Sequence, residues 1–436
     1  MIVVILLLIL FLGEILFYIL QQRSGKSVAV QKTLFRVIFA LSAGILIWVG
    51  VLDGLLRYGG LLFILAVQVI LFLIRSRKGA VKIQYRKGTV VRNVLLYTLT
   101  LSFAIVFPQY EKPALTGPYH VQTEEHTWTD TNRIETYSNI DQNRYVTLKI
   151  WYPEEKGRYP LILFSHGATG ILESNAMSCE ELASNGYVVV AVAHPYQAFF
   201  TRNLENGQIT LADSKFLNQV LTDNGSDDPV HEKEILDASR EWLEIRTADV
   251  NFVLDTLLEK ARSGEEGPYQ RIDSEKIGLF GHSLGGATAV SVARKRDDID
   301  AVIDLEGTMF SEYEGYTNGD YIFRDDTFNI PILDVNSRDI YNLAQEEPDR
   351  QYVNFFVLEH ALDGREVVVD GAGHLNFTDL PMISPILGKL LGAGDVDAKI
   401  CLENINSLML NYFDSHLKGM PEEPLPEGCE IKISEA

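Results

Sequence analysis

Residues 276–290 read Lys276-Ile-Gly-Leu-Phe-Gly-His-Ser-Leu-Gly-Gly-Ala-Thr-Ala-Val290, a short apolar strand that runs into Gly281-His282-Ser283-Leu284-Gly285 and then into a helix of small residues. A strand that turns this sharply into a helix lifts the middle side chain clear of the sheet and leaves no room for side chains two positions either side. The pattern is that of a nucleophile elbow with Ser283 at its apex. A bare G-x-S-x-G should arise by chance about 0.1 to 0.2 times in a chain this long, so the pentapeptide needs its context: the strand before it, Gly286 and Ala287 after it, and suitable partners downstream.

Outward from the elbow, the chain divides by charge. The first 110 residues carry 12 Lys and Arg against 2 Asp and Glu, whereas residues 111–436 carry 26 against 57. The acidic part is long enough for one large core, and its charge disfavours nucleic acid or anionic lipid as a broad electrostatic partner. Cys179, Cys401 and Cys429 are odd in number and lack metal-ligand spacing, so no disulfide framework is implied.

The basic part reads as a membrane anchor. Residues 2–20 are apolar except for Glu14, and similar runs cover 37–52, 55–74 and 89–107, the last closed by Pro108. Each is long enough to cross a hydrocarbon layer of about 30 Å. No basic segment precedes the first run and no small-x-small cleavage pattern follows it, which argues against a signal peptide. Arg23, Lys26, Lys32 and Arg36 fall between spans one and two; Arg75, Arg77, Lys78, Lys82, Arg86, Lys87 and Arg92 fall between three and four or at the rim of four. Positive loops stay cytoplasmic, so the N-terminus, the connection holding Asp53 and Arg57, and the acidic part are expected outside the cell membrane. Glu14 is expected to pair with a neighbouring helix or snorkel, with a functional intramembrane carboxyl as the alternative.

Past Tyr110 strands and amphipathic helices alternate. Strands are expected at 145–152, 161–165, 187–193, 276–280, 301–305, 330–335 and 366–370, with helices at 179–185 and 239–260. Such alternation implies an α/β domain over 111–436, a mostly parallel sheet with helices on both faces. Residues 199–234 are polar and without periodicity, a candidate lid or a plain surface excursion.

This part resembles the monomeric α/β-hydrolase family of platelet-activating factor acetylhydrolases, with a more distant likeness to bacterial lipases and cutinases. The resemblance covers residues 116–418 and rests on Gly117-Pro118-Tyr119, Pro160-Leu-Ile-Leu-Phe-Ser-His-Gly167, Leu182-Ala-Ser-Asn-Gly-Tyr187, the elbow, Gly371-Ala-Gly-His-Leu-Asn-Phe-Thr-Asp379 and a closing helix over 400–417. The four apolar runs lie outside it.

Acyl transfer needs a base to take the serine proton and a carboxylate to orient that base, in the chain order Ser, acid, His for this fold. His374 follows the last expected strand in a Gly-flanked turn; His360 precedes that strand and His416 sits in the closing helix, so His374 is the expected base. Asp304 ends the strand after the elbow helix, where the resemblance puts the acid, and is the expected orienter. Asp339, after the next strand, is the position other α/β-hydrolases use, and Glu306 ranks below both. The oxyanion donors are expected from the backbone N–H of Leu284, directly after the nucleophile, and, by resemblance, of Ala168. His166 and His282 have no carboxylate or cysteine at ligand spacing, so no metal is expected, and acyl-enzyme chemistry calls for no cofactor.

Together these residues point to a membrane-anchored serine hydrolase of lipid or small carboxylic esters. The resemblance implies phospholipids with short or oxidised acyl chains, without calcium. A broad esterase or polyester hydrolase, and a non-catalytic sensory module that kept the fold, are the alternatives; the oligomeric state is not legible.

Overall fold

A computed structural model of the chain describes all residues except 1, 53–54, 78–85, 139, 223–228, 318–319, 347–351 and 433–436. Of the residues named above, Asp53, Lys78, Lys82 and positions 223–228 of the candidate lid lie outside the described set. The contacts divide the chain into two units, Met1–Glu111 with Ile383–Leu387, and Lys112–Met382 with Gly388–Ala436.

The first unit contains four helices long and apolar enough to cross a membrane: α1 (Ile2–Ser24), α2 (Ala29–Trp48), α3 (Leu55–Arg77) and α4 (Lys87–Val106). The second expected span is corrected at its start: α2 begins at Ala29, not at 37, and takes in Lys32 and Arg36, which the charge count had assigned to a loop. Lys32 and Arg36 stand one helical turn apart and meet the buried Glu14 of α1 at 2.7 and 2.8 Å. Asn93 and Tyr97 of α4 also donate to Glu14, each at 3.1 Å. A run that hydropathy reads as too polar thus continues as helix, because its charges face a carboxylate inside the bundle.

Among the described residues the second unit has thirteen strands: β1 (Val121–Ile134), β2 (Asn143–Pro153), β3 (Tyr159–Ser165), β4 (Val188–Val192), β5 (Phe200–Arg202), β6 (Ile209–Leu211), β7 (Ile272–His282), β8 (Ala301–Leu305), β9 (Tyr313–Thr317), β10 (Asp320–Phe323), β11 (Ile332–Ser337), β12 (Gly364–Val369) and β13 (Cys429–Lys432). Nine form one sheet in the order β1-β2-β4-β3-β7-β8-β11-β12-β13; β5–β6 and β9–β10 are separate ribbons. The run from β4 to β12 is parallel and antiparallel pairs flank it at both edges. This is the α/β-hydrolase architecture.

The central strands are buried on both faces, so their period of two sorts side chains between two cores. In β3, Leu161 and Leu163 join one cluster with Val250, Leu254 and Leu257 of α7 (Pro229–Ser263), the helix that follows α6 (Ser214–Thr222). Ile162 and Phe164 join the other, with Leu182 of α5 (Ala176–Ser184) and Phe413 of the closing helix Ala398–Lys418. Each such buried side chain contributes on the order of 1.5–3 kcal/mol. The closing helix starts where Asp397 accepts from the N–H of Lys399 and Ile400, and stops at Gly419 in the left-handed region, φ 66°.

The expected strands and helices form, several with extended ends. Three features were not legible. The edge strand β1 is largely polar; the two ribbons are short; and the candidate lid contains the β5–β6 hairpin and α6. The hairpin is tied down by Tyr145, whose hydroxyl meets Thr201 and Thr210, and α6 by Phe216, whose ring packs edge-on against Trp242 at 5.3 Å.

Candidate active site

The elbow forms as its residue pattern requires. Strand β7 ends at His282, α8 (Leu284–Lys295) begins one residue after Ser283, and Ser283 itself holds φ 55° and ψ −127°, a conformation L-residues adopt only under constraint. The constraint is visible: the Ser283 N–H donates to the Leu305 carbonyl at 2.9 Å, and its carbonyl accepts from Ala287. Position 285 must be glycine, because a Cβ there would stand 1.9 Å from the Ser165 carbonyl oxygen.

His374 opens the short helical turn His374–Phe377 beyond β12. Asn376 shapes this turn: its carbonyl oxygen accepts from the N–H of Gly373 at 2.9 Å and of Gly394 at 2.6 Å. His282, the second residue of the elbow, donates from Nε2 to the His374 carbonyl at 2.9 Å, and the two rings lie 4.5 Å apart. Burial pushes the His282 pKa well below the usual range, so it supports His374 as a neutral ring.

The structure brings a different carboxylate to His374 from the one expected. His374 Nδ1 lies 2.6 Å from Glu306 Oε2, not beside Asp304. Glu306 Oε1 accepts from the Ser337 N–H at 2.8 Å, and the side chain is 2% exposed. Glu306 sits one residue beyond β8 with φ 55°, so the chain has left the strand and carries the carboxylate toward the C-terminal edge of the sheet, where His374 stands. Asp304 is still inside β8. Its Oδ1 accepts from the Gly307 N–H at 2.9 Å and lies where a Cβ on Gly286 would fall, under the start of α8. Across the register it faces Asp334 of β11, which Asn336 and Asn354 hold by hydrogen bonds of 2.8 and 3.1 Å. Burial, and the neighbouring carboxyl, push Asp304 well above the ordinary carboxylate range; burial pushes Asp334 up to about 7. A carboxyl whose charged form burial disfavours is poorly suited to stabilising an imidazolium. Asp339, the other expected alternative, lies exposed in the first turn of α9 (Arg338–Glu346) and has no contact with His374 among the described residues.

The two expected oxyanion donors come together at the elbow. Leu284 is the first residue of α8, and Ala168 packs in the same apolar cluster as Leu284, Phe216 and Trp242. Neither N–H is spent on a protein acceptor among the described residues. Gly167 lets this loop approach: a Cβ there would stand 3.3 Å from the Ser283 Cβ.

What holds the loop was not read from the sequence. Arg246 of α7, fully buried, donates to the carbonyls of His166 and Gly167 and to the side chain and carbonyl of Gln197. His166 donates from Nδ1 to the Gly167 carbonyl at 2.7 Å and accepts at Nε2 from the His194 N–H, so both ring nitrogens serve the loop. Behind it Ser165, His194 and Asp249 form a second Ser-His-Asp chain, with both contacts 3.0 Å. All three are buried, and Asp249 is further held by Arg144 at 2.7 Å. Burial and the Arg246 charge lower the His194 pKa to about 4. This sealed chain braces β3 and β4 beneath the oxyanion loop. Placement past the end of a parallel strand was the signal for Glu306; no local pattern pointed to Arg246.

Comparisons with known proteins bear on the family and the fold. The profile of the family described as platelet-activating factor acetylhydrolase, isoform II, matches residues 136–423. The platelet-activating factor acetylhydrolase of Bos taurus is 22% identical over 278 residues, 60% of this chain and 57% of that protein. Cutinase est1 of Thermobifida alba is 25% identical over 205 residues, 47% of this chain and 54% of its own length. The chain thus spans a little over half the length of these curated relatives. Among solved structures, a ferulic acid esterase from Streptomyces cinnamoneus superposes with a TM-score of 0.56 at 23% identity, covering 74% of this chain and 99% of that one, which speaks for the fold. The chain belongs to the platelet-activating factor acetylhydrolase, isoform II, family of α/β-hydrolases.

Proposed function

We propose that this protein is a membrane-anchored serine hydrolase that cleaves carboxylic esters of lipids, with Ser283 as nucleophile, His374 as base and Glu306 as the carboxylate that orients it. The observation that carries the reading is the 2.6 Å contact between His374 Nδ1 and Glu306, in a turn tied through the His374 carbonyl to His282 of the strained Ser283 elbow. With Nδ1–H donating to Glu306, Nε2 keeps its lone pair for the Ser283 hydroxyl. Ser283 Oγ attacks the ester carbonyl as its proton passes to His374. The oxyanion is held by the N–H groups of Ala168 and Leu284, and collapse expels the alcohol, which takes the proton from His374. Water then repeats the sequence on the acyl-enzyme.

Two features support a lipid ester. Leu284, the residue after Ser283, belongs to an apolar cluster with Phe216 and Trp242, against which Ala168 packs. The chain at and beyond the oxyanion loop exposes large apolar side chains: Phe199, Ile209 and Leu211 are each more than 60% exposed. That segment is bonded to the loop through Thr169 N–H to the Gln197 carbonyl and Phe199 N–H to the Gly170 carbonyl. Contiguous exposed apolar surface near a site suits an amphiphilic substrate. Family membership favours phospholipids with short or oxidised acyl chains. The likeness to a cutinase favours a polyester as the second reading. The four apolar helices are read as spans with their basic connections in the cytoplasm, which puts the catalytic unit outside the cell membrane.

Fluorophosphonate labelling of the full chain tests the core of this reading. Ser283→Ala should abolish labelling and ester hydrolysis together; labelling that persists moves the nucleophile elsewhere, and absent labelling of the unaltered protein favours a non-catalytic module. Rates on acetyl and long-chain phospholipid esters against a polyester film separate the substrate readings. Cysteines introduced between Arg75 and Arg92 should resist an impermeant thiol reagent in intact cells.

A further inference from the structure

The helical unit has a half-open pocket of about 330 Å³ whose lining includes Lys32, Arg36, Gln68, Arg75, Arg92 and Asn93. Four cations face one space. Glu14, the acidic partner of this cluster, is already engaged by Lys32, Arg36, Asn93 and Tyr97, so the cations outnumber the carboxylate by three. Two buried donors in the wall have no acceptor among the described residues: Arg36 Nε, on a residue 8% exposed, and Gln68 Nε2. A buried donor left without an acceptor costs about 1–3 kcal/mol, more on a charged group, so a site with two of them is built for something that brings oxygens. Apolar side chains complete the lining, among them Val67, Leu71 and Phe72 of α3. Arg75 and Arg92 lie toward the ends of α3 and α4 that the basic connection joins.

We propose that this cavity binds a phosphate group, carried by an anionic phospholipid whose acyl chains lie along these apolar side chains or by a small soluble phosphate. A phosphate brings several strong acceptor oxygens and at least one negative charge, which matches an excess of cations and two orphaned donors. The proposal rests on the four helices being membrane spans only for the lipid as source. It gives the anchor a ligand of its own, apart from the ester bound at Ser283.

The full chain, delipidated in a neutral detergent, is titrated with phosphatidylglycerol, phosphatidylcholine and inorganic phosphate, and bound ligand is read by native mass spectrometry. Phosphatidylglycerol is expected to bind on the order of tenfold more tightly than phosphatidylcholine, since one charge-assisted contact is worth about that factor. Arg36→Gln is expected to remove the preference, but it also takes one of its cationic partners from Glu14. Gln68→Leu and Arg92→Gln therefore serve as milder variants; each should weaken binding several-fold while hydrolysis of a soluble p-nitrophenyl ester is unchanged. Competition by millimolar inorganic phosphate identifies a soluble phosphate as the ligand; its absence identifies the lipid. Equal binding of both lipids with no phosphate bound overturns the proposal, and so does an anionic preference that Gln68→Leu and Arg92→Gln leave intact. Alkaline carbonate extraction of cell membranes tests the spanning separately: release of the protein would end the membrane reading, while the detergent titration would still report on the cavity.

Discussion

Replacing Glu306 by Gln keeps the volume of the side chain and removes its charge. In the structure the two carboxylate oxygens have separate duties, Oε1 accepting from the Ser337 N–H and Oε2 from His374 Nδ1. A glutamine has only one acceptor oxygen for two donors. If the Ser337 N–H keeps it, the amide NH2 faces His374 and forces the imidazole proton onto Nε2, the nitrogen that must accept from Ser283. The lost charge adds to this: an imidazolium and a carboxylate about 4 Å apart attract by about 4 kcal/mol at an effective dielectric of 20. At about 1.4 kcal/mol per factor of ten, charge alone accounts for nearly three orders of magnitude in rate, and the wrong tautomer brings the expected loss to about 10³ to 10⁴. Asp304→Asn should cost less than about tenfold, because Asn retains an oxygen for the Gly307 N–H and replaces a carboxyl whose charged form burial disfavours. The assay is acyl-enzyme formation on p-nitrophenyl acetate under single-turnover conditions, with circular dichroism to establish folding. A loss of 10³ or more in Asp304→Asn, with Glu306→Gln within tenfold of the unaltered protein, would refute the reasoning.

Three further outcomes follow from particular contacts. Gly285→Ala should lower the fluorophosphonate labelling rate more than a hundredfold, because its Cβ would fall 1.9 Å from the Ser165 carbonyl and force the elbow apart; near-normal labelling would mean the elbow is not held by this approach. Arg246→Met should lower kcat by one to two orders of magnitude with KM little changed, and cost about 3 kcal/mol of stability, since the carbonyls of His166 and Gly167 lose their buried donor. An unchanged kcat would detach the oxyanion loop from Arg246. Asp334→Asn bears on pH dependence. Its carboxyl is raised in the folded state to about 7 from about 3.9 in an unfolded chain, so its contribution is full below about 3.9 and is lost as pH rises through about 7. The variant should therefore gain in Tm relative to the unaltered protein between pH 5 and pH 8, and a constant difference across that range would contradict the raised value.

The strand-to-helix turn at Ser283, the turn that carries His374 and most of the sheet were legible in the sequence because each is encoded locally. Ser283 is flagged by glycines whose absence of side chains is a steric necessity within five residues. His374 is flagged by a glycine-flanked turn after the last apolar strand, and the strands by short runs of Val, Ile and Leu that only a sheet covered on both faces can bury. The four apolar helices declare themselves by length and hydropathy. What chain order could not decide was which carboxylate meets His374. Asp304 and Glu306 are two residues apart, and a regular strand would point both the same way; the left-handed turn at Glu306 separates them, and it depends on the Val335 carbonyl and the Ser337 N–H of the neighbouring strand β11. The start of α2 was misread for a related reason, since Lys32 and Arg36 look like loop charges until Glu14, Asn93 and Tyr97 are brought to them from two other helices. Arg246 left no local trace, because its partners are backbone carbonyls some 80 residues earlier and the side chain of Gln197. Residue pattern determines where a chain turns, pairs and spans; which of two nearby carboxyls meets the histidine is decided by the neighbours that folding delivers, through the backbone turn they hold and the hydrogen bonds they offer.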